Sequence, residues 1–342
     1  MVLIEKPRFK KWIILSAVLG LLGFIGFICY LLFFMDLSNI GEVIAGTNLA
    51  IYFLSFLCVI AASIVDALAW KSVLNTLLVK TTFRRIFSLS WVGHFVDALV
   101  PGGFSGDAFK TYILIKDKDV NGSKVVASTI IKDVLELLVV LGSLIVGIVL
   151  LALNYSINST IMLVIGGSMI FLSVPLILVV YFSINVGAIE RLLGTLTHVY
   201  AKIRRKEHIS VPATEKVIAQ ITDFRVGIMS MKTNPKVMIK PIFFQSLTWI
   251  FQILSFYFVF TALWFEVGID KIVITSTIIT ILQGQGVAFA GISQIVSVEL
   301  YTVLGITAQI AVASSLLAGF AAFWFALVLS FGFFQVNRAR AQ

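Results

Sequence analysis

The chain has 342 residues, 59% of them apolar and 13% charged, with a mean hydropathy of +1.04 and a formal net charge of +9. Soluble domains run at roughly 45–50% apolar and about 25% charged, so a water-soluble protein is excluded, and 6 Pro against 29 Phe suits long helices in lipid. In so apolar a chain the basic excess reads as cytoplasmic loops beside anionic lipid, not as a nucleic-acid surface.

A bilayer core of about 30 Å takes roughly 20 apolar residues of helix. Residues 12–35 make the first such run. It follows Lys6, Arg8, Lys10 and Lys11 as in a signal peptide, but it is too long and lacks a small-residue cleavage pattern, so it reads as a retained anchor. Residues 49–70 make the second span. The next apolar stretch, 86–100, is too short to cross, stops at Pro101-Gly102-Gly103 and resumes over 105–115. Residues 125–153 and 161–183 are full spans. The stretch 184–240 is basic, with stripes at Leu192, Leu196, Val199 and Ile203 and at Val217, Ile221, Phe224 and Ile228; it predicts two interfacial amphipathic helices or a helical hairpin under the bundle. A fifth span covers 241–264. Residues 272–290, rich in Thr, Ser and Gln, stop at Gly291 and resume over 293–304, and 307–335 make the sixth span. Broken helices at membrane depth are tolerated only where they are buried in protein or line a wet cavity; the alternative reading is four ordinary short helices.

The expected fold is therefore all-α: one transmembrane domain over residues 1–342, with six full transmembrane helices and two broken, re-entrant helical hairpins. Placing both termini in the cytoplasm puts nearly every basic residue inside and leaves Asp36, Glu42, Glu266, Asp270 and Lys271 outside, as the positive-inside rule asks. The two hairpins then enter from opposite sides. No sequence repeat links the halves. Cys29 and Cys58 lie in apolar runs and His94, His198 and His208 are scattered, so neither a disulfide framework nor a metal site is expected, and no cofactor is implied.

Two groups of residues carry chemistry. Around the first break, Pro101, Gly102, Gly103, Ser105, Gly106 and Asp107 allow close backbone approach, with Ser105 as a helix N-cap and the following amides aimed at an anion. Lys110, about one turn on, could contact a lipid phosphate as a point charge; the alternative is an Asp107–Lys110 pair that only neutralises itself. The second group is the set of acids in apolar runs: Asp66, Asp97, Asp107, Asp133, Glu136 and Glu299, with only Lys110 and Lys132 as basic partners. A charge at bilayer depth costs several kcal/mol unless paired, hydrated or neutralised, so these acids predict a polar interior. Lys132 and Glu136 share a helix face as an i, i+4 pair. Glu299 sits mid-helix and must find a partner elsewhere. Gln283, Gln285, Gly291, Ser293 and Gln294 add neutral polar groups around the second break.

The segment Pro101-Gly102-Gly103-Phe104-Ser105-Gly106-Asp107 with Lys110, the turn Ala290-Gly291-Ile292-Ser293 leading to Glu299 and Gly305, and Trp70-Lys71 with Leu74 at the end of the second helix resemble the lysylphosphatidylglycerol synthase transmembrane, or flippase-like, family. The resemblance covers essentially the whole chain, with Ala290 and Ser293 where the family has glycines. It implies a lipid-handling membrane domain without the soluble aminoacyl transferase that some relatives carry, and, since relatives also occur beside glycosyltransferases, it leaves polyprenyl-linked sugars as a second class of cargo.

The expectation is a non-enzymatic lipid flippase or scramblase in the cell membrane. Pro101 to Asp107 with Lys110 engage an anionic or polyprenyl-phosphate headgroup, and Asp66, Asp97, Lys132, Asp133, Glu136, Gln283, Gln285, Gly291, Ser293, Gln294 and Glu299 line the path. The competing reading is a non-transporting module that scaffolds an envelope glycosyltransferase or lipid synthase. Intramembrane hydrolysis is disfavoured because Ser105 and Asp107 have only His94 as a base in reach of sequence reasoning.

Overall fold

A computed structural model describes residues 7–34, 37–99, 105–117, 120–154, 236–284 and 291–340, with 167 and 174 as isolated positions. The expected span over 161–183 and the amphipathic stretch up to residue 235 lie outside the described residues, as do Pro101, Gly102, Gly103 and Gln285.

The described chain is helical. Its elements are α1 (Pro7–Phe34), α2 (Leu37–Ala45), α3 (Leu49–Thr76), α4 (Phe83–Leu99), α5 (Ser105–Ile115), α6 (Gly122–Asn154), α7 (Lys236–Ala262), α8 (Ile269–Gly284), α9 (Ile292–Val303), α10 (Ala308–Gly319), a π turn (Phe320–Phe325) and α11 (Ala326–Arg340). Four stretches are long and apolar enough to cross a membrane: Leu49–Thr76, Gly122–Leu150, Lys236–Ala262 and Ala308–Asn337. A fifth arises if the pair Leu21–Phe33 and Ser38–Ala45, bent by 107°, is counted as one span. The sequence reading took the residues after 35 as an outer loop; they form the short helix α2, whose Ile40 packs into the core with Phe260 and Ile306.

The centre of the bundle is the antiparallel pair α3 and α7. Asn48 N donates to Ala262 O at 2.8 Å and Ser255 Oγ to Ser55 O at 3.1 Å, so seven residues up one helix match seven residues down the other. Asn48 also caps α3, its side chain accepting from Ala50 N at 3.1 Å and Ile51 N at 3.2 Å, which satisfies two amides that a helix start leaves open. Both helices end alike. Leu78 follows α3 with φ 59° and Trp264 follows α7 with φ 58°. The next amide reaches back in each case, Val79 N to Leu74 O at 2.9 Å and Phe265 N to Phe260 O at 3.1 Å. This is the left-handed helix stop, here on non-glycine residues.

Around this pair, α4 and α5 fold back on each other between α3 and α6, over a core of Trp70, Leu74, Ile86, Leu89, Leu114 and Ile131. On the other side α8 and α9 fold back on each other, with Ile274, Ile278, Leu300 and Leu304 between them. Lipid is as apolar as Leu, so such contacts hold by close packing more than by escape from water. Gly147 of α6 shows how close: a Cβ there would lie 2.9 Å from Ile274 Cγ1 of α8. Large apolar side chains such as Phe33, Phe53, Val146, Phe243 and Val328 face outward, as a lipid-facing surface requires.

Candidate functional site

The first break places α5 against α4 with almost no space between backbones. A Cβ on Gly106 would overlap the Gly93 carbonyl and the Asp97 carboxylate, and one on Gly93 would lie 3.3 Å from Gly106 O. A side chain at Gly106 is therefore excluded, and one at Gly93 would crowd its neighbours. The carboxylate of Asp97 then caps α5, accepting from Gly106 N at 2.6 Å and from Ser105 Oγ at 2.8 Å. Ser105 is thus the first helical residue and not the cap, and the anion that meets the start of α5 is the protein's own Asp97. A carboxylate is favoured there by the open amides and by the helix dipole.

Four helices bring charged groups together behind that turn. Lys110 of α5 is 5% exposed, pairs with Asp107 and lies 4.8 Å from the centre of the Trp70 ring. The indole Nε1 of Trp70 donates to Ser128 Oγ at 3.1 Å, which fixes the ring beneath the ammonium. Lys132 of α6, 6% exposed, reaches Asp66 of α3 at 3.0 Å and Glu136 at 2.9 Å, so the expected i, i+4 pair forms and gains a second acid. Thr111 and Thr129 join α5 to α6 at 2.7 Å. Asp133 stands within Coulombic reach of Asp107, Lys132, Lys110 and Glu136, yet among the described residues no hydrogen bond or ion pair holds it. His94 of α4 sits within the same field as Asp66, Lys110, Asp97 and Lys132. Five carboxylates therefore surround two ammonium groups. Each lysine has an acid partner, as buried charge requires, and the acids outnumber the lysines.

The second break has different chemistry. Gly291 adopts φ +96°, and a Cβ there would overlap the backbone of Gly23 in α1. The side-chain oxygen of Gln294 folds back to accept from Gly291 N at 2.6 Å and Ser293 Oγ at 3.0 Å, so α9 caps itself. Ser315 Oγ of α10 donates to Gln294 O at 3.1 Å. A Cβ on Gly319, where the π turn begins, would lie 2.8 Å from Gln294 Nε2. A cavity of about 40 Å³ lies here between Phe24, Phe27, Gly291, Gln294, Gly319 and Trp324. Glu299 meets Tyr30, whose hydroxyl donates to Oε1 at 2.7 Å at an exposed position between α1 and α9. Gln283 is exposed near the end of α8.

The sequence-predicted residues thus fall into two groups. Asp66, Asp97, Ser105, Gly106, Asp107, Lys110, Lys132, Asp133 and Glu136 assemble in the first, and Gly291, Ser293 and Gln294 in the second with Glu299 further along α9. Sequence reasoning passed over Trp70 and Ser128 as members of the charged group, named His94 only as a base for Ser105 and Asp107, and passed over Tyr30, Ser315 and Gly319 as partners of the neutral group. Trp70 was visible only as a motif residue; that its ring lies under Lys110 depends on the crossing of α3 with α5. Among the described residues no group of three His, Cys, Asp or Glu is placed to hold a metal ion.

Comparison with known proteins places these features in context. The family described as the lysylphosphatidylglycerol synthase TM region matches residues 13–330. A UPF0104 membrane protein of Pyrococcus horikoshii is 23% identical over 276 residues, covering 77% of this chain and 80% of its own length. A second UPF0104 membrane protein, from Methanothermobacter thermautotrophicus, is 22% identical over 264 residues, covering 75% and 76%. No solved structure matches.

Proposed function

This chain belongs to the lysylphosphatidylglycerol synthase TM region family, and from that premise we propose that it is a non-enzymatic carrier that moves a phospholipid or a polyprenyl-linked lipid between leaflets of the cell membrane, with both termini cytoplasmic. The observation that carries the reading is the charged group of α3 to α6. Five acids and two lysines inside helices that otherwise pack against lipid are expensive to keep. A membrane helix bundle held only for scaffolding has no need of them. In intramembrane proteins such groups mark pathways for polar cargo.

In this reading a lipid phosphate arriving at the 101–107 turn displaces Asp107 from Lys110. The ammonium exchanges one anion for another over the Trp70 ring, so it is never left unpaired while buried. Asp107, the more exposed member of the pair, is released. Lys132, held by Asp66 and Glu136, keeps its place and sets the local potential. The hydrocarbon tails stay in the bilayer throughout.

The test is transport in liposomes of phosphatidylglycerol and phosphatidylethanolamine carrying a fluorescent phospholipid or a fluorescent polyprenyl phosphate, read by quenching of the outer leaflet. Faster exchange than in protein-free vesicles, lost with Lys110→Gln, supports the proposal. No acceleration for either lipid class, with or without a pH gradient, overturns it.

A further inference from the structure

The two halves of the bundle share a plan that their sequences hide. Among the described residues the helices α3, α4, α5 and α6, one long, two short and one long, are followed by α7, α8, α9 and the run Ala308–Arg340 in the same order of long, short, short and long. The first residues of α4 and α6, 83 and 122, recur 186 positions later at 269 and 308 in α8 and α10. The left-handed stops Leu78 and Trp264 obey the same offset. So do Thr129, bonded across to α5 at 2.7 Å, and Ser315, bonded across to α9 at 3.1 Å.

Contacts between the halves are also reciprocal. Helix α6 packs on α8 through Ser143 and Thr277 at 3.4 Å, and α11 packs on α4 through Asn337 and Ser88 at 2.6 Å. Because α3 and α7 are antiparallel and cross near their midpoints, the operation relating the halves is a two-fold axis perpendicular to the helices. That is the geometry of an inverted repeat, in which one copy faces each way across a membrane.

The copies differ where it matters. At that offset Asp97, Lys110 and Asp133 of the first copy correspond to Gln283, Val296 and Gly319 of the second. Gly93 and Gly106, which let α4 and α5 touch, correspond to Ile279 and Ile292. The second hairpin therefore has neither the glycine pair that closes the first nor the carboxylate that caps it. Its half-helix α9 is held at Gly23 of α1 and at Ser315 and Gly319 beside the π turn. A π turn inserts one residue into a helix and leaves its hydrogen bonding imperfect, and such turns gather at functional sites.

We infer that the fold is an inverted repeat of one four-helix unit, in which the first copy has become a fixed polar site and the second a moving gate, with α9 shifting against α1 and the π turn. The gate rests on the transport reading; the repeat does not. In the first hairpin Asp97 and the glycine pair together hold α5 to α4. By contrast α9 carries a self-made cap that travels with it, since Gln294 bonds within its own turn.

The experiment is a pair of spin-label distances on the full chain in the same liposomes, in a Cys29→Ala, Cys58→Ala background. Ala108→Cys with Leu138→Cys reports α5 against α6; Val296→Cys with Ile250→Cys reports α9 against α7. The expected result is one narrow distance for the first pair and two populations for the second, separated by about 5 Å, roughly one helical turn. Gly319→Ala, which crowds Gln294, should shift the balance between the two populations and leave the first pair unchanged. A single distance for α9 with transport intact, or two distances for α5, overturns the inference. Two populations for α9 without lipid transport support it and count against the lipid-moving reading alone.

Discussion

The hairpin of α4 and α5 and the hairpin of α8 and α9 have nearly equal lengths and opposite chemistry. The first is closed by glycine contact and capped by a carboxylate, and its surroundings hold two lysines among five acids. The second is uncharged at its turn, capped by a glutamine and lodged against a helix from outside its own unit. The comparison teaches that a helix break at membrane depth needs its amides satisfied but does not dictate by what. A carboxylate cap brings a charge that must itself be accommodated, and in the first hairpin the Gly106 amide and the Ser105 hydroxyl bond to it. An amide cap brings none, so the second hairpin is free to lie against apolar neighbours such as Phe24 and Trp324.

The sharpest break of this contrast is Lys132→Met. It leaves Asp66 and Glu136 without their shared ammonium, and losing one partner of a buried pair costs about 3–5 kcal/mol; a thermal-unfolding scan in detergent should show the largest loss of any single change here, and an unaltered midpoint would mean the cluster is hydrated. Next comes Gly291→Ala in the neutral hairpin. A side chain at φ +96° against the Gly23 backbone should cost about 2 kcal/mol, read in the same scan, whereas Gly142→Ala, with open space around it, should be silent. Asp97→Ala removes the cap of α5 and should cost about 1 kcal/mol, with faster amide hydrogen exchange at the start of α5 than in α9. The smallest effect on folding is expected for Glu299→Gln. Its carbonyl still accepts from Tyr30 at an exposed site, so stability should move by less than about 0.5 kcal/mol. A fall in lipid movement without a fall in stability would then assign Glu299 to the path, and no fall would remove it.

Much of the first hairpin was legible in the sequence. A Pro-Gly-rich stop between two short apolar runs, acids without enough bases, and an i, i+4 pair at Lys132 and Glu136 are all local patterns, and the structure brings the acids and lysines among them together. The role of Ser105 was misread because a hydroxyl at a helix start looks like a cap, and nothing in the local pattern reveals that Asp97, eight residues earlier across the turn, points its carboxylate there. The partner of Glu299 was equally hidden: Tyr30 is 269 positions away. The run after residue 35 was read as a loop, since nine residues of helix at 107° to α1 are too short to announce themselves by periodicity.

By itself the sequence determined that this is an all-helical membrane protein, where its long helices run, and which charges are left in apolar surroundings, because hydropathy and charge act on each segment separately. Only the tertiary structure decided which acids share which lysine, that Trp70 lies under Lys110, and that α3 and α7 pair antiparallel at the centre with a two-helix fold-back beside each. Identity between helices decays once packing is all that must be kept, while lengths, turn geometry and antiparallel register persist. Those are properties of contacts between segments, and no single segment carries them.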